Sequence, residues 1–465
     1  MALGRRKVEQ QEDLFVTHDQ LPRSEGHVFY RRLNQLLAEA EFDRHVERLC
    51  APHYEPSGTP GRPSIPPGVY FRMLLVGYFE GIGSQRGIAW RCHDSLSLRE
   101  FLGVPLTEDA PDHSSLTRVR DRLPLEIHED VFQFVLKLAH EKGLLKGKTV
   151  GVDSTTLEAN AAMKSIVRKD TGEDWRAYVV GLMKKEGVLE KDQEPTDDEV
   201  RRFDKKRKNK KVSNQDWQSK TDPEARITKM KDGRTHLAYK AEHVVDLESE
   251  LILAAEVYHA DQSDLHTLVD SVLEAQEHLN EAGAEVEIEE VAADKGYHAA
   301  EQLELAESVA LRTYIPEPER KYLSRWTDKP PEQKHAVYAN RQRTKTDKSK
   351  RLQRLRSERV ERSFAHVCET GGARRTWLCG IEKVRKRCLI SALARNLGLV
   401  MRALFGMGTP RGLQSEGWAD SGLTALVQIA WLAARTLQNA LAAIETLPNF
   451  LRRLAALHVD LKITA

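Results

Sequence analysis

Three acidic side chains carry the chemistry this chain can do. Asp153 lies in GVDST at the end of an alternating, β-branched run, Asp294 lies in VAADKGYH at the end of an apolar run, and Glu361 lies in RVERSF within a helical stretch. In α/β sheets, sites collect at the carboxyl ends of the strands. Neighbouring parallel strands would bring Asp153 and Asp294 side by side, and a helix could carry Glu361 across to face them. Three converging carboxylates without basic partners repel, and their pKa values rise unless a cation neutralises them. Hard oxygen donors select Mg²⁺, with Mn²⁺ as its substitute. Two such ions, roughly 3.5–4 Å apart, activate a water or a 3′-hydroxyl and stabilise the leaving oxygen of a phosphodiester. Taken singly, each acid also has an ordinary reading, a turn or cap aspartate or a charged helix face. The three together point to metal-dependent phosphodiester chemistry.

The elements that must position these acids are legible along the chain. Residues 26–50 and several later segments up to about 145 have helical spacing, with a Pro/Gly-rich loop over Ala51–Gly68. DHSSLTRVRDRL opens with serines suited to capping and continues as a basic helix. From Lys146 the pattern changes: TVGVDSTTL reads as a strand, THLAYKAEHVVD and ELILAAEVYHA as two more, and EVEIEEVAAD and VALRTYIP as a fourth and fifth. SDLHTLVDSVLEAQEHL and HAAEQLELAES read as intervening helices, and RSERVERSFAHVCE as a late one. The order predicts an α/β fold, a mixed sheet with helices on its faces. The expected domains are a helical unit over 1–145, the α/β unit over 146–380 with insertions at about 160–225 and 317–350, and a helical region over 381–465.

Composition narrows the class. The chain has 465 residues, enough for two or more domains, and a formal net charge of +1 that conceals basic blocks at Arg201–Lys211 and Arg341–Arg359. Such blocks suit contact with a polyanion or, equally, a solvated helix face. Five cysteines without a C-x-x-C pair imply neither a disulfide framework nor a zinc knuckle. The N-terminal stretch lacks an apolar signal core, and GLTALVQIAWLAARTLQ is too short between charges to cross a bilayer. A soluble, cytoplasmic protein without a membrane partner is expected.

GVDSTTLEANA, ADKGYH and RVERSFAHVCETGGARRTWLCG resemble the three signature blocks of bacterial insertion-sequence transposases of the DDE type. SKTDPEARITKMKDGRTHLAYKAEHVVD resembles the segment before and along that family's second strand. RPSIPPGVYFRMLLVGYFEGIGSQRGIAWRCHDSLSLREFLG, with SSLTRVRDRL, resembles its N-terminal domain, so the likeness spans roughly 60–405. The resemblance implies an RNase H-like catalytic core and makes Asp153, Asp294 and Glu361 the metal-binding catalytic triad. Many relatives carry a Tyr–Arg–Glu–Lys signature about the third acid; here the Tyr, Arg and Lys positions hold Arg354, Ser357 and Cys368, while Arg356, Arg359 and Arg362 crowd the same helix.

Candidate DNA contacts follow. Lys295 adjoins Asp294, and Lys240 and Arg226 lie in the second resembling block. Tyr297 and His298 either assist or pack on the sheet. Arg359 and Arg362 are further candidates on the late helix. Arg118, Arg120 and Arg122 suit backbone contact from a helix-turn-helix reader, or form a solvated face. Trp326, in KYLSRWTDK, falls in a segment that in relatives can present an aromatic on which a base stacks, though packing on the core is the commoner role of a loop tryptophan.

The expected activity is that of a DNA transposase that binds the terminal inverted repeats of an insertion sequence, cleaves a strand and joins the freed 3′-hydroxyl to target DNA, as a dimer when two ends are synapsed and at the nucleoid. The rivals are a metal-dependent DNA nuclease without joining activity and a catalytically inactive DNA-binding protein.

Overall fold

The computed structural model describes Thr17 and residues 28–55, 64–190, 193–207, 213–230, 233–319 and 330–410. Seven helices come first: α1 (Val28–Glu39), α2 (Phe42–Cys50), α3 (Pro67–Glu80), α4 (Gln85–Asp94), α5 (Leu96–Leu102), α6 (His113–Arg122) and α7 (Leu125–Glu141). Their punctuation is local chemistry. Helix α3 begins on a proline and ends on Gly81 at φ 70°, and its apolar run is buried on nearly every side. Ser84 and Ser95 cap α4 and α5. Helix α6 is capped by Asp112, which accepts from the Ser115 amide, and not by the serines of the same motif. Aspartate caps as well as serine does, and here it stands two positions before the first serine.

The α/β unit begins with β1 (Thr149–Glu158). After it come β2 (Ile166–Arg168), α8 (Trp175–Lys185), α9 (Asp197–Lys206), β3 (Trp217–Ser219) and β4 (Arg226–Lys229). Then follow β5 (Thr235–Asp246), β6 (Ile252–His259), α10 (Leu268–Glu281), β7 (Glu290–Ala292), α11 (Ala300–Ser308) and β8 (Arg312–Tyr314). Three long helices close the described chain, α12 (Pro331–Thr344), α13 (Asp347–Ala365) and α14 (Ile381–Phe405). The main sheet runs β4-β5-β1-β7-β8, with β6 also paired to β5. Strands β5, β1 and β6 are antiparallel neighbours, whereas β1, β7 and β8 are parallel. The mixed sheet flanked by helices is the architecture the element order predicts.

Two stretches were less legible. Between β1 and β4 the chain builds a two-stranded ladder, β2 with β3, and a helix pair around a small core of Val179, Met183 and Val200. Three buried residues leave almost no periodic imprint on a sequence. Within 317–350, α12 packs on β8 and α11, and its buried Asn340 bonds both the amide and the carbonyl of Ile315. Helix α12 is therefore part of the helical layer.

The core runs without a break from the first helices into the sheet. Helix α14 joins them, packing on α7, α3 and β6. By length and composition alone it would pass for a membrane span, but 72% of its apolar window is buried inside the protein. The GLTALVQIAWLAARTLQ stretch lies outside the described residues.

Glu256 of β6 stands opposite Glu242 of β5 and pairs with Arg385 of α14. Burial pushes the Glu256 carboxyl up to about 7, against the pull of Arg385. A raised folded pKa means that the folded state holds this proton more tightly than the unfolded chain. Stability is then full below the unfolded value near 4.5 and declines as pH rises towards 7. Glu256→Gln is therefore expected to stabilise the protein at pH 8, by roughly 3 kcal/mol at most, and to change little at pH 4.5. Urea denaturation at the two pH values checks this; equal destabilisation at both would mean that the charged pair with Arg385 dominates.

Candidate active site

The site is built on the β1–β7 edge of the sheet. The parallel register pairs Thr149 with Glu290, Val150 with Val291 and Gly151 with Ala292, where the ladder ends; Asp153 and Asp294 each lie two residues past its last pair, near enough for the charge of Asp294 to act on Asp153. Strand β1 does not stop at Asp153. It continues to Glu158 against β5 alone, because β7 ends at Ala292 and leaves that edge open. Asp294 then caps a short turn, Lys295–Tyr297, accepting from the Gly296 amide at 2.7 Å.

Side chains alternate across a strand, so Gly151 and Asp153 share a face. Helix α13 covers that face at very close range: a Cβ on Gly151 would lie 2.9 Å from Val360 and 3.2 Å from the Arg356 side chain. The helix is registered at three levels. Gln353 donates to the carbonyls of Ala293 and Tyr314. Arg356 reaches the Asp153 carboxylate at 2.7 Å. His243, the β5 residue paired with Asp153, bonds the Ser363 hydroxyl at 2.9 Å and stacks on Phe364.

The electrostatics follow from burial. Desolvation raises the Asp153 pKa and the charge of Asp294 raises it further, while Arg356 and the Ser154 amide pull it down. The Arg356 guanidinium pairs with Asp153 alone. A third acid lies beside them: Asp264 accepts from the Ser154 hydroxyl at 3.0 Å and from the Lys240 ammonium at 2.8 Å. Beneath, Glu242 is buried among the hydroxyls of Thr267, Ser271 and Tyr297.

Glu361 does not meet the two aspartates. It lies on the exposed flank of α13 and accepts from Ser357, one turn from Arg356. Among the described residues no three His, Cys, Asp or Glu side chains converge as a metal-binding group. Asp153 and Asp294 are near enough for the charge of one to act on the other; Arg356 supplies the cation beside Asp153, and the third carboxylate bonds to its own helix. The donors nevertheless suit a hard divalent ion: neighbouring carboxylates, one of them buried and raised in pKa, with a further carboxylate on the covering helix.

The expected DNA contacts divide by environment. Lys295 is exposed beside Asp294. Lys240 is buried, paired with Asp264 and set over the Tyr258 ring, so its ammonium does not face solvent. Arg359 donates to the carbonyls of Leu247 and Glu248, and Arg362 pairs with Glu250 and Glu358, so both tie α13 to the β5–β6 turn. A basic run on a helix could not reveal that carbonyls and carboxylates of a distant turn would meet it. Tyr297 is buried and bonded to Glu242, the packing alternative. Arg226 bonds the Pro223 carbonyl. Arg118 is exposed, Arg120 points inward, and Arg122 covers the Tyr54 ring. Trp326 lies outside the described residues. The sequence reading missed Asp264 and Gln353; ADQSDLH and RLQRLR hold nothing that distinguishes them from surface residues.

Two family models match this chain, a transposase domain over residues 15–122 and a transposase DDE domain over residues 202–397. The chain belongs to the insertion-sequence DDE transposases. The DDE match contains Asp294 and Glu361 and begins after Asp153. No curated protein matches the chain. The mixed sheet is the RNase H-like sheet of a DDE transposase, and membership implies an enzyme that cuts DNA with divalent metal ions.

Proposed function

We propose that this DDE transposase binds the ends of its insertion sequence, cleaves a strand there and joins the freed 3′-hydroxyl to target DNA, with Asp153, Asp294 and Glu361 as its catalytic acids. The observation that supports this most is the parallel β1–β7 ladder, whose last pair, Gly151 and Ala292, lies two residues before Asp153 and Asp294. Mg²⁺, or Mn²⁺ in its place, would supply Lewis acidity and lower the pKa of an attacking water or hydroxyl. Asp153 and Asp294 would hold it, with Glu361 completing the donors from α13. The α13 contacts at Gln353 and His243 fix where the helix stands over the sheet. Lys295, exposed beside Asp294, is placed to meet a phosphate, and Arg118 to meet DNA from the N-terminal helices. Two ends brought together imply a homodimer on DNA, acting at the nucleoid.

Incubation with a labelled duplex carrying the element end, target plasmid and Mg²⁺ tests the reading. Cleaved and joined products are expected. Cleavage without joining would make the protein a nuclease, and no cleavage with intact end binding would make it a DNA-binding protein.

Arg356 gives a test that needs no turnover. Its guanidinium competes with a metal ion for Asp153. A charge-assisted bond of this kind contributes about 1.5–3 kcal/mol. Arg356→Gln is therefore expected to tighten Mn²⁺ binding to the DNA-free protein by about tenfold, read by calorimetry. Unchanged affinity would show that Asp153 is not a ligand.

A further inference from the structure

A second site lies away from the acids, where the N-terminal helices meet α14. A cavity of about 280 Å³ is enclosed there by α3, α4, α6, α7, α14 and the 371–378 loop. Three basic side chains line it, Arg120, Lys386 and Arg387, and no aspartate or glutamate does. Two of its polar atoms, Arg120 Nε and Gln85 Nε2, are buried donors without a hydrogen-bond partner. Leaving such donors unmatched costs about 1–3 kcal/mol each, more for a charged group. Arg120 and Lys386 are almost wholly buried, with side-chain exposures of 12% and 4%. Their positive field, added to burial, helps hold the neighbouring His128 neutral. The remaining wall is apolar and aromatic: Leu74, Ile82 and Ile390 line it, and the Trp377 indole stands 54% exposed.

Lys386 pairs with Glu382 at 2.6 Å and Arg387 donates to the carbonyls of Gly372 and Arg375, but Arg120 Nε, 3.9 Å from the Asp121 carboxylate, and Gln85 Nε2 still lack a hydrogen-bond acceptor, and a charged donor left so calls for an anionic one. The apolar wall, the indole and a volume well beyond that of a phosphate call for a flat body attached to it. We propose that this cavity binds a nucleotide, its phosphate received by Arg120 and Gln85 and its base lying against Trp377. The nucleotide can be free or a unit of bound DNA. The position suits the second source. Asn160 bonds the Trp377 carbonyl, and Thr376 bonds the carbonyl of Glu158, the last residue of β1. Asp153 lies five residues back along that strand, roughly 17 Å, or about five base steps of duplex. A DNA strand held at the acids would cover that length within a few nucleotides.

Calorimetry in EDTA, with dAMP as the probe, tests the site without turnover, so the reading of the acids can fail while this one stands. Wild-type protein is expected to bind dAMP more tightly than deoxyadenosine or orthophosphate. Arg120→Gln should weaken it at least tenfold, and Gln85→Met and Trp377→Ala severalfold. A duplex in which one abasic nucleotide is moved stepwise along the end forms the second arm. Loss of binding at a single position, abolished in Trp377→Ala, would assign the site to DNA even if free dAMP does not bind. Should Arg120→Gln fail to fold by circular dichroism, Gln85→Met and Trp377→Ala decide. If folded variants bind dAMP and every abasic duplex as wild type does, the proposal is overturned.

Discussion

Asp294→Asn is expected to reduce Mg²⁺-dependent cleavage of the element ends by about a thousandfold or more, while binding of those ends stays within about twofold of wild type. A bound divalent ion supplies several kcal/mol of transition-state stabilisation, and each 1.36 kcal/mol is tenfold in rate. The amide keeps the shape of the carboxylate. It can also still accept from the Gly296 amide, the bond that forms the Lys295–Tyr297 turn. The fold should therefore survive while the charge near Asp153 is lost. Asp153 provides an internal control of sign: the charge of Asp294 is one cause of its raised pKa, so that pKa should fall in the variant. A time course with labelled ends, beside a gel-shift measurement, reads both effects. Undiminished cleavage would remove Asp294 from the catalytic acids.

Gly151→Val is the second large effect, and it acts through packing. Nothing charged changes, yet α13 rides so close to β1 that a Cβ at position 151 would lie 2.7 Å from Leu247 and 2.9 Å from Val360. Those neighbours sit on the β5–β6 turn and on α13, and both are buried in the core. Overpacking of this kind costs about 1–3 kcal/mol, and a branched side chain falls at the upper end. Relief can come only by lifting α13, which carries Arg356, Glu361 and the Gln353 tie to Ala293. Cleavage should therefore fall by more than the lost stability explains, at temperatures where the variant is still fully folded. Chemical denaturation and the cleavage rate on one preparation check this. A variant with wild-type stability and activity would show that the helix is not seated on the glycine as the structure has it.

The two substitutions expose different sources of information. The aspartates at Asp153 and Asp294 were visible because strand periodicity is local and each acid terminates or interrupts it. Their proximity also follows from parallel pairing of the two runs, which topology constrains tightly. The long strand β5 was read to the residue, since THLAYKAEHVVD alternates and is β-branched. Strand β7 was read too long: EVEIE alternates without pairing, and only Glu290–Ala292 has a partner on each side. The small core between β1 and β4, and helix α12, were missed or blurred because few apolar residues mark them.

The sequence by itself determined the element order, the placing of one aspartate on the first strand and the other just after a later one, the basic character of α13 and membership of the DDE transposases, all properties carried by short stretches of chain. Only the tertiary structure decided what the cations do. It sent Arg356 to Asp153, Arg359 to backbone carbonyls, Arg362 to Glu250, Lys240 to Asp264 and Arg120 into a cavity, leaving Lys295 and Arg118 exposed. The physical reason is reach: a long flexible cation finds its partner among groups up to some two hundred residues away, and no periodicity in its own segment records which group that will be.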